Sequence, residues 1–243
     1  ETLVQQGAVA NMTTAVSGTK TGAGTVVMNG TNSYAAATAV DAGTLEVTGS
    51  LTNSALTVNS GGTLSGTGTV AQLATVLGGG TLAPGAASPA GTGILSLGGL
   101  SLASTATTVI AITGPTPGTD FDQVSILGSG SLGFGGTLDL STSNIDSAVA
   151  GTSYRLFDFS STPTGDFASL TSLGGIYAGI TWSGPAGGVW TSTAGTGGDF
   201  LTFNQGTGTL AVVPEPSTFA LAAIAGLGGL AMLRRRTRST SAA

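Results

Sequence analysis

The sequence has no cysteine and no histidine, and only 7% of its 243 residues are charged, against about 25% in an ordinary soluble domain. The absence of cysteine excludes disulfides, thiol nucleophiles and thiolate-bound zinc. The absence of histidine excludes a Ser-His-Asp triad and an imidazole general base or metal ligand. Aromatic residues are also scarce, at 5% of the chain. Carboxylates, hydroxyls and six basic side chains remain for chemistry, so we expect no cofactor and no enzymatic activity.

The few charges are distributed unevenly along the chain. Residues 1–213 carry ten acidic side chains and two basic ones, Lys20 and Arg155, which gives a net charge of −8. Residues 214–243 carry Glu215 and four arginines, which gives a net charge of +3. An acidic body with two basic residues cannot neutralise a phosphate backbone, so we expect no nucleic-acid partner.

The basic tail follows a short apolar segment. Pro214, Glu215 and Pro216 precede Phe219–Leu233, a run of 15 uncharged residues. As a helix this run would span about 22 Å, which is less than the hydrocarbon core of a membrane at about 30 Å. The polar residues beside it and an arginine that extends its side chain to the membrane surface would make up part of the difference. We predict one transmembrane helix with cytoplasmic arginines, the alternative being a buried core helix with a solvated tail. The arginines are Arg234, Arg235, Arg236 and Arg238.

The order of proline motif, short helix and arginine cluster resembles the PEP-CTERM sorting signal of Gram-negative bacterial surface proteins, over Val213–Arg238. The resemblance implies that Pro214, Glu215 and Pro216 are recognised by exosortase, a transpeptidase-like membrane enzyme that cleaves near them. It also implies an inner-membrane precursor that later reaches the cell surface or is secreted. Proteins of this family begin with a secretory signal peptide. The chain starts at Glu1 without one, so we expect a fragment or a processed form.

The N-terminal half is repetitive. The pattern Gly-Thr-(Val/Leu) begins at Gly24, Gly43, Gly62 and Gly80, with spacings of 19, 19 and 18 residues. Each period predicts two short alternating strands that cannot bury their apolar face alone, so we expect successive periods to stack as a parallel β-helix. The alternative is low-complexity sequence with chance spacing. The predicted inward residues are Leu45, Val47, Leu56, Val58, Leu64 and Val76.

The segments Gly24–Tyr34 and Val40–Val47 together resemble one autotransporter-associated β-strand repeat. Residues 79–93, together with residues 120–124 and 135–138, resemble the C-terminal part of the passenger domains that contain such repeats. The resemblance implies a right-handed parallel β-helix in a secreted bacterial surface protein.

The predicted fold is all-β, with three regions. Residues 1–113 form β-helix repeats, clearest over 24–82. Residues 114–212 form an irregular β region with an aromatic-rich cap from residue 151, and residues 213–243 form the sorting signal. Further strands are predicted at Ile94–Leu102, Thr108–Ile112, Val124–Leu127, Thr137–Leu140 and Thr207–Val213.

Two pairs of residues are weak candidates for binding. Asp120 and Asp122 form an Asp-x-Asp pair that could hold Ca²⁺ if both face one side of a strand, although a solvated strand face accounts for them as well. Trp182 and Trp190 could stack on sugar rings if they are exposed, although packing in the cap accounts for them as well.

We therefore expect a non-enzymatic secreted or cell-surface structural or matrix protein, associated with exopolysaccharide or biofilm. A carbohydrate-binding or adhesive module is the alternative, and a glycan-cleaving β-helix enzyme is a remote one. The expected partners are an exosortase-type enzyme, the inner membrane before processing, and extracellular polysaccharide. The expected location is the cell envelope of a Gram-negative bacterium.

Overall fold

The computed structural model describes residues 3–5, 18–87, 90–146 and 148–214. Over these ranges the chain is all-β, with 25 strands and a short 3-10 helix at Gly175–Tyr177. Within them, no helix is long and apolar enough to cross a membrane. The predicted transmembrane helix at residues 219–233 and the arginine cluster lie outside the described residues.

The first sheet consists of eight parallel strands, each paired with the strand one coil further along the chain. Its members, in ladder order, are β1 (Leu3–Gln5), β3 (Thr25–Met28), β6 (Gly43–Val47), β9 (Gly62–Gly66), β11 (Thr81–Pro84), β15 (Thr107–Val109), β18 (Thr137–Asp139) and β21 (Ser169–Leu170).

The second sheet has ten strands, also parallel. Its members are β2 (Gly18–Lys20), β4 (Thr31–Asn32), β5 (Thr38–Val40), β7 (Ser50–Leu51), β8 (Leu56–Val58), β10 (Thr69–Val76), β14 (Ile94–Leu102), β16 (Gln123–Ile126), β17 (Leu132–Gly133) and β20 (Phe157–Asp158). β10 and β14 are long enough to pair with two different strands of one neighbouring coil, β10 with β7 and β8 and β14 with β16 and β17.

Each early coil therefore holds three strands, as in β5, β6 and β7, and the coils stack as in a parallel β-helix. The prediction of two strands per period is wrong, because it omitted the third position. β4 and β7 are only two residues long, which is too short for an alternating pattern to mark them. They form because β7 pairs with the stacked strand β10 through backbone hydrogen bonds, and β4 pairs with β7 in the same way.

Glycine at the start of the repeated triplet is required by the stacking distance. A Cβ added at Gly62 would lie 2.3 Å from the carbonyl oxygen of Val40, and one at Gly43 would lie 2.4 Å from that of Gly22. Gly43 also has a φ of 68°, a backbone conformation that residues with a side chain rarely adopt. The neighbouring threonine is free to point outward, so Thr25, Thr44 and Thr63 form a ladder on the first sheet.

Apolar side chains fill the interior in stacked rows, one per strand position. Val40, Val58 and Val76 lie above one another in register, and all three are fully buried. The six predicted inward residues are each at most 2% exposed. Burial of a Val or Leu side chain contributes about 1.5–3 kcal/mol, so the rows supply the main stabilising term of the coils.

The stacking continues beyond residue 113, where the prediction placed the end of the repeats. Ladder partners are 19 residues apart at Thr44 and Thr63 but 32 apart at Thr137 and Ser169. The extra residues form projections from the coils, among them the antiparallel pair β12 (Ala86–Ala87) and β13 (Ala90–Gly91). The loss of a fixed period hides these later coils from a search for repeats.

The C-terminal end of the stack is covered by a five-stranded antiparallel sheet. Aromatic rings connect the coils to this sheet. The ring centroids of Phe134 and Phe157, both in the coils, lie 5.1 Å apart, and that of Phe157 lies 6.2 Å from the ring centroid of Phe203 in the sheet. These rings close the apolar interior where no further coil covers it. The sheet order is β19 (Ser153–Arg155), β25 (Thr209–Val213), β24 (Phe200–Asn204), β23 (Val189–Ser192) and β22 (Trp182–Ala186).

The close approach of coils predicts the effect of adding one methyl group. The Gly62→Ala substitution places a Cβ against the Val40 carbonyl, so the free energy of unfolding should fall by about 1–3 kcal/mol. Gly133→Ala is the matched control, because it also lies in a stacked strand but its added Cβ meets no atom closer than 3.6 Å. Chemical denaturation of both variants tests this, and equal stability would contradict the stacking constraint.

Candidate functional site

The Pro-Glu-Pro motif begins directly after the last strand that the structure describes. β25 (Thr209–Val213) is an inner strand of the antiparallel sheet, paired on both sides with β19 and β24. Pro214 follows it directly and is exposed. Proline lacks an N–H and cannot extend a ladder, so it ends the last strand. Glu215 and Pro216 lie outside the described residues.

Asp120 and Asp122 do not lie together on a strand, which corrects the prediction. Asp120 lies in a turn and its Oδ2 accepts a hydrogen bond from the backbone N–H of Thr116 at 3.0 Å. Asp122 immediately precedes β16 and is only 4% exposed. The two carboxylates thus bind different backbone segments. Within the described ranges, no three acidic side chains lie close enough together to hold a metal ion.

Asp122 joins two coils through both of its oxygens. Oδ1 accepts from the backbone N–H of Gly93 at 2.8 Å, and Oδ2 accepts from that of Ala111 at 2.9 Å. Burial raises the pKa of this carboxyl to about 6, and the two backbone hydrogen bonds offset part of that rise. Since both oxygens already accept hydrogen bonds from the backbone, the group acts as a clamp between coils.

Asp122 also lines a groove of about 550 Å³ on the outer face of the first sheet. Most of the lining is threonine, alanine and valine, including Thr44, Thr63 and Val109. The Oγ of Ser65, also in the lining, is buried without a hydrogen-bond partner among the described residues. Asp122 is the single ionisable side chain in this lining, so the groove pairs no acid with a base.

The two tryptophans contribute to packing. Trp190 is 5% exposed, and its Nε1 donates to Oε1 of Gln205 at 3.3 Å. Trp182 is half-buried against the core, and its Nε1 donates to the carbonyl of Thr171 at 2.9 Å. The proposal that a sugar stacks on Trp190 therefore does not hold, because the ring presents no free face.

A second concavity, the cap pocket, lies where the last coils meet the antiparallel sheet and has a volume of about 440 Å³. Its lining includes Phe159, Asp166, Gly188 and Gln205. Gln205 is 3% exposed, and its Nε2 donates to Oδ1 of Asp166 at 2.6 Å.

Sequence reasoning missed the cap pocket. Asp166 and Gln205 are separated by 39 residues, and each stands in a Gly-containing stretch that is typical of a turn. No local pattern distinguishes a buried turn glutamine from an exposed one, so only the fold brings the two together.

Comparison with known families bears on the two ends of the described chain. Residues 212–236 match the PEP-CTERM protein-sorting motif. The chain carries a PEP-CTERM sorting signal. Residues 19–47 match the passenger-associated-transport repeat, over the coil that runs from β2 to β6. Among curated proteins, none matches the sequence.

The resemblances to the PEP-CTERM signal and to the passenger repeat are thus confirmed. The PEP-CTERM signal indicates an extracellular or cell-surface protein, made as a membrane-anchored precursor and sorted by exosortase, a membrane enzyme. The repeat indicates a passenger-like body. Pro214 therefore lies within the sorting signal, directly after the last strand that the structure describes.

The raised pKa of Asp122 predicts how stability depends on pH. Because the folded state holds this proton more tightly than the unfolded chain, the contribution of Asp122 is largest below pH 4 and is lost as the pH rises through about 6. The free energy of unfolding should fall by about 1 kcal/mol between pH 5 and pH 7.

Denaturant titrations at the two pH values measure this difference. Asp122→Asn should remove it and should also lower stability, because the amide offers one acceptor to two backbone donors. Asp120→Asn, which removes the same charge two residues away, is the control and should keep the difference. An undiminished difference in Asp122→Asn would refute the assignment.

Proposed function

We propose that this chain is a non-enzymatic surface or matrix protein of a Gram-negative envelope, whose stacked β body is released by exosortase-type cleavage near Pro214–Pro216. The observation that carries the proposal is the position of the sorting signal: the match begins at residue 212, within the last strand of the body, and continues to residue 236. Cleavage at this place would separate the body from the tail without cutting a strand.

The spacer between body and tail helix is short. Five residues, 214–218, separate Val213 from the apolar run that starts at Phe219. Extended at about 3.3–3.6 Å per residue, they reach about 17 Å. A helix inserted at residues 219–233 would therefore hold the body next to the membrane, where a membrane enzyme can reach the prolines. Arg234–Arg236 and Arg238 would stop transfer and remain cytoplasmic.

The body offers little for catalysis, which supports a structural role. Its carboxylates mostly bind the protein itself: Asp122 binds two backbone N–H groups, and Oδ1 of Asp41 accepts from Asn59 at 2.5 Å. Lys20 is 9% exposed and donates to three backbone carbonyls. Such contacts fix a scaffold, and we propose that its coils have the right-handed sense of the resembling passenger domains. Exopolysaccharide is the proposed matrix partner.

Replacement of the proline motif tests the sorting role. In a host with exosortase, changing Pro214-Glu215-Pro216 to three alanines should leave an uncleaved precursor in the membrane fraction. The reason is that the enzyme loses its recognition residues while the body keeps its fold. Intact mass and cell fractionation measure the outcome.

The chain supplies a matched control at Pro115-Thr116-Pro117, a second Pro-x-Pro triplet in an exposed loop of the body. Changing that triplet to alanines should leave processing unchanged. If the Pro214–Pro216 variant is still shortened and exported like the natural chain, the sorting proposal is wrong.

A further inference from the structure

The cap pocket has a rigid polar support. Oε1 of Gln205 accepts from the backbone N–H of Phe167 at 2.9 Å and from Nε1 of Trp190 at 3.3 Å. These two donors fix the amide so that its Nε2 faces Asp166. Burial of an amide costs free energy unless it is hydrogen-bonded, and here both ends of the Gln205 amide have partners, with Nε2 directed at the Asp166 carboxylate.

Asp166 is exposed and keeps capacity for a ligand. Gln205 occupies Oδ1 at 2.6 Å, whereas no donor from the described residues reaches Oδ2. A carboxylate oxygen accepts hydroxyl hydrogens in short bonds about twice as strong as those between neutral groups. Oδ2 of Asp166, in a carboxylate that Gln205 fixes in place, is therefore a hydrogen-bond acceptor for a ligand with many hydroxyl groups.

The rest of the lining adds an aromatic surface and small polar groups. Phe159 is half-buried in the wall, beside the exposed Thr162 and the glycines Gly188 and Gly206. Glycine leaves the backbone open to close approach by a ligand. The volume of about 440 Å³ lies within the range of about 300–1,000 Å³ that is usual for small-molecule sites.

Charge restricts the class of ligand further. The cations of the described chain are Lys20, whose ammonium binds three carbonyls in the first coils, and Arg155, which pairs with Asp158 at 3.0 Å. Neither lines the pocket. Arg155 lies next to the pocket, since its Nη2 donates to the carbonyl of Phe159 at 3.1 Å, but its charge is already paired with Asp158. An acidic sugar would therefore meet the Asp166 carboxylate with no cation in the lining, whereas a neutral sugar would donate hydroxyl hydrogens to Oδ2 and pack its apolar ring face on Phe159.

We propose that the cap pocket binds a neutral sugar unit of an extracellular glycan, with Asp166 as the hydrogen-bond acceptor, Phe159 as the stacking surface and Gln205 as a positioning residue. The site differs from the one predicted at Trp182 and Trp190. It does not depend on the sorting proposal, since a binding assay needs no processing enzyme.

Binding of the 243-residue chain to immobilised neutral oligosaccharides of glucose, galactose and mannose tests the site. Polygalacturonate provides an acidic comparison and chitosan a cationic one. We expect binding to at least one neutral oligosaccharide and little to polygalacturonate. Asp166→Asn should weaken that binding at least about tenfold, because it removes the charge while keeping an oxygen for Gln205.

Phe159→Ala should weaken the same binding by a similar factor, and thermal melting of each variant checks that it folds. Asp41→Asn is the matched control, because Asp41 is also exposed and also accepts from a side-chain amide, but in an early coil. Its affinity should equal that of the natural chain. Absence of neutral-glycan binding, preference for polygalacturonate or chitosan, or unchanged affinity in folded Asp166→Asn would each overturn the proposal.

Discussion

The distance between stacked backbones is the constraint on which the rest of this structure depends. Parallel strands lie about 4.8 Å apart, and at Gly62 the backbone comes so near the Val40 carbonyl that an added Cβ would lie 2.3 Å from it. Coils this close admit glycine at the corners, small or β-branched residues on the faces, and apolar rows inside. The high glycine content, 42 residues in the chain, agrees with that spacing.

A stack of identical coils has an open end, and the chain closes the C-terminal one with different chemistry. Phenylalanines replace valine and leucine, and an antiparallel sheet replaces the parallel ladder. The change of sheet requires the chain to turn back on itself, and polar side chains such as Gln205 hold the backbone there. The cap consequently combines a buried polar side chain, Gln205, with a pocket, as the groove at Asp122 also does.

The sorting signal and the proposed glycan site depend on different properties of the chain. The sorting signal is a linear motif, and its first proline follows the last described strand. The cap pocket depends on side chains from distant parts of the chain held at fixed distances. Release of the body would keep the described lining of the pocket together, because all of it precedes Pro214.

The sequence by itself determined the repeat, the tail motif and much of the strand pattern. β14 spans Ile94–Leu102 as predicted, and Leu45 and Val58 are buried as predicted, because alternation and period are local properties of the chain. The tertiary structure alone decided the third strand of the early coils, the burial of Trp190, the clamp at Asp122 and the meeting of Asp166 with Gln205. These features arise from contacts between residues far apart in the chain. A local sequence pattern does not indicate which distant backbone or side chain will contact a given residue.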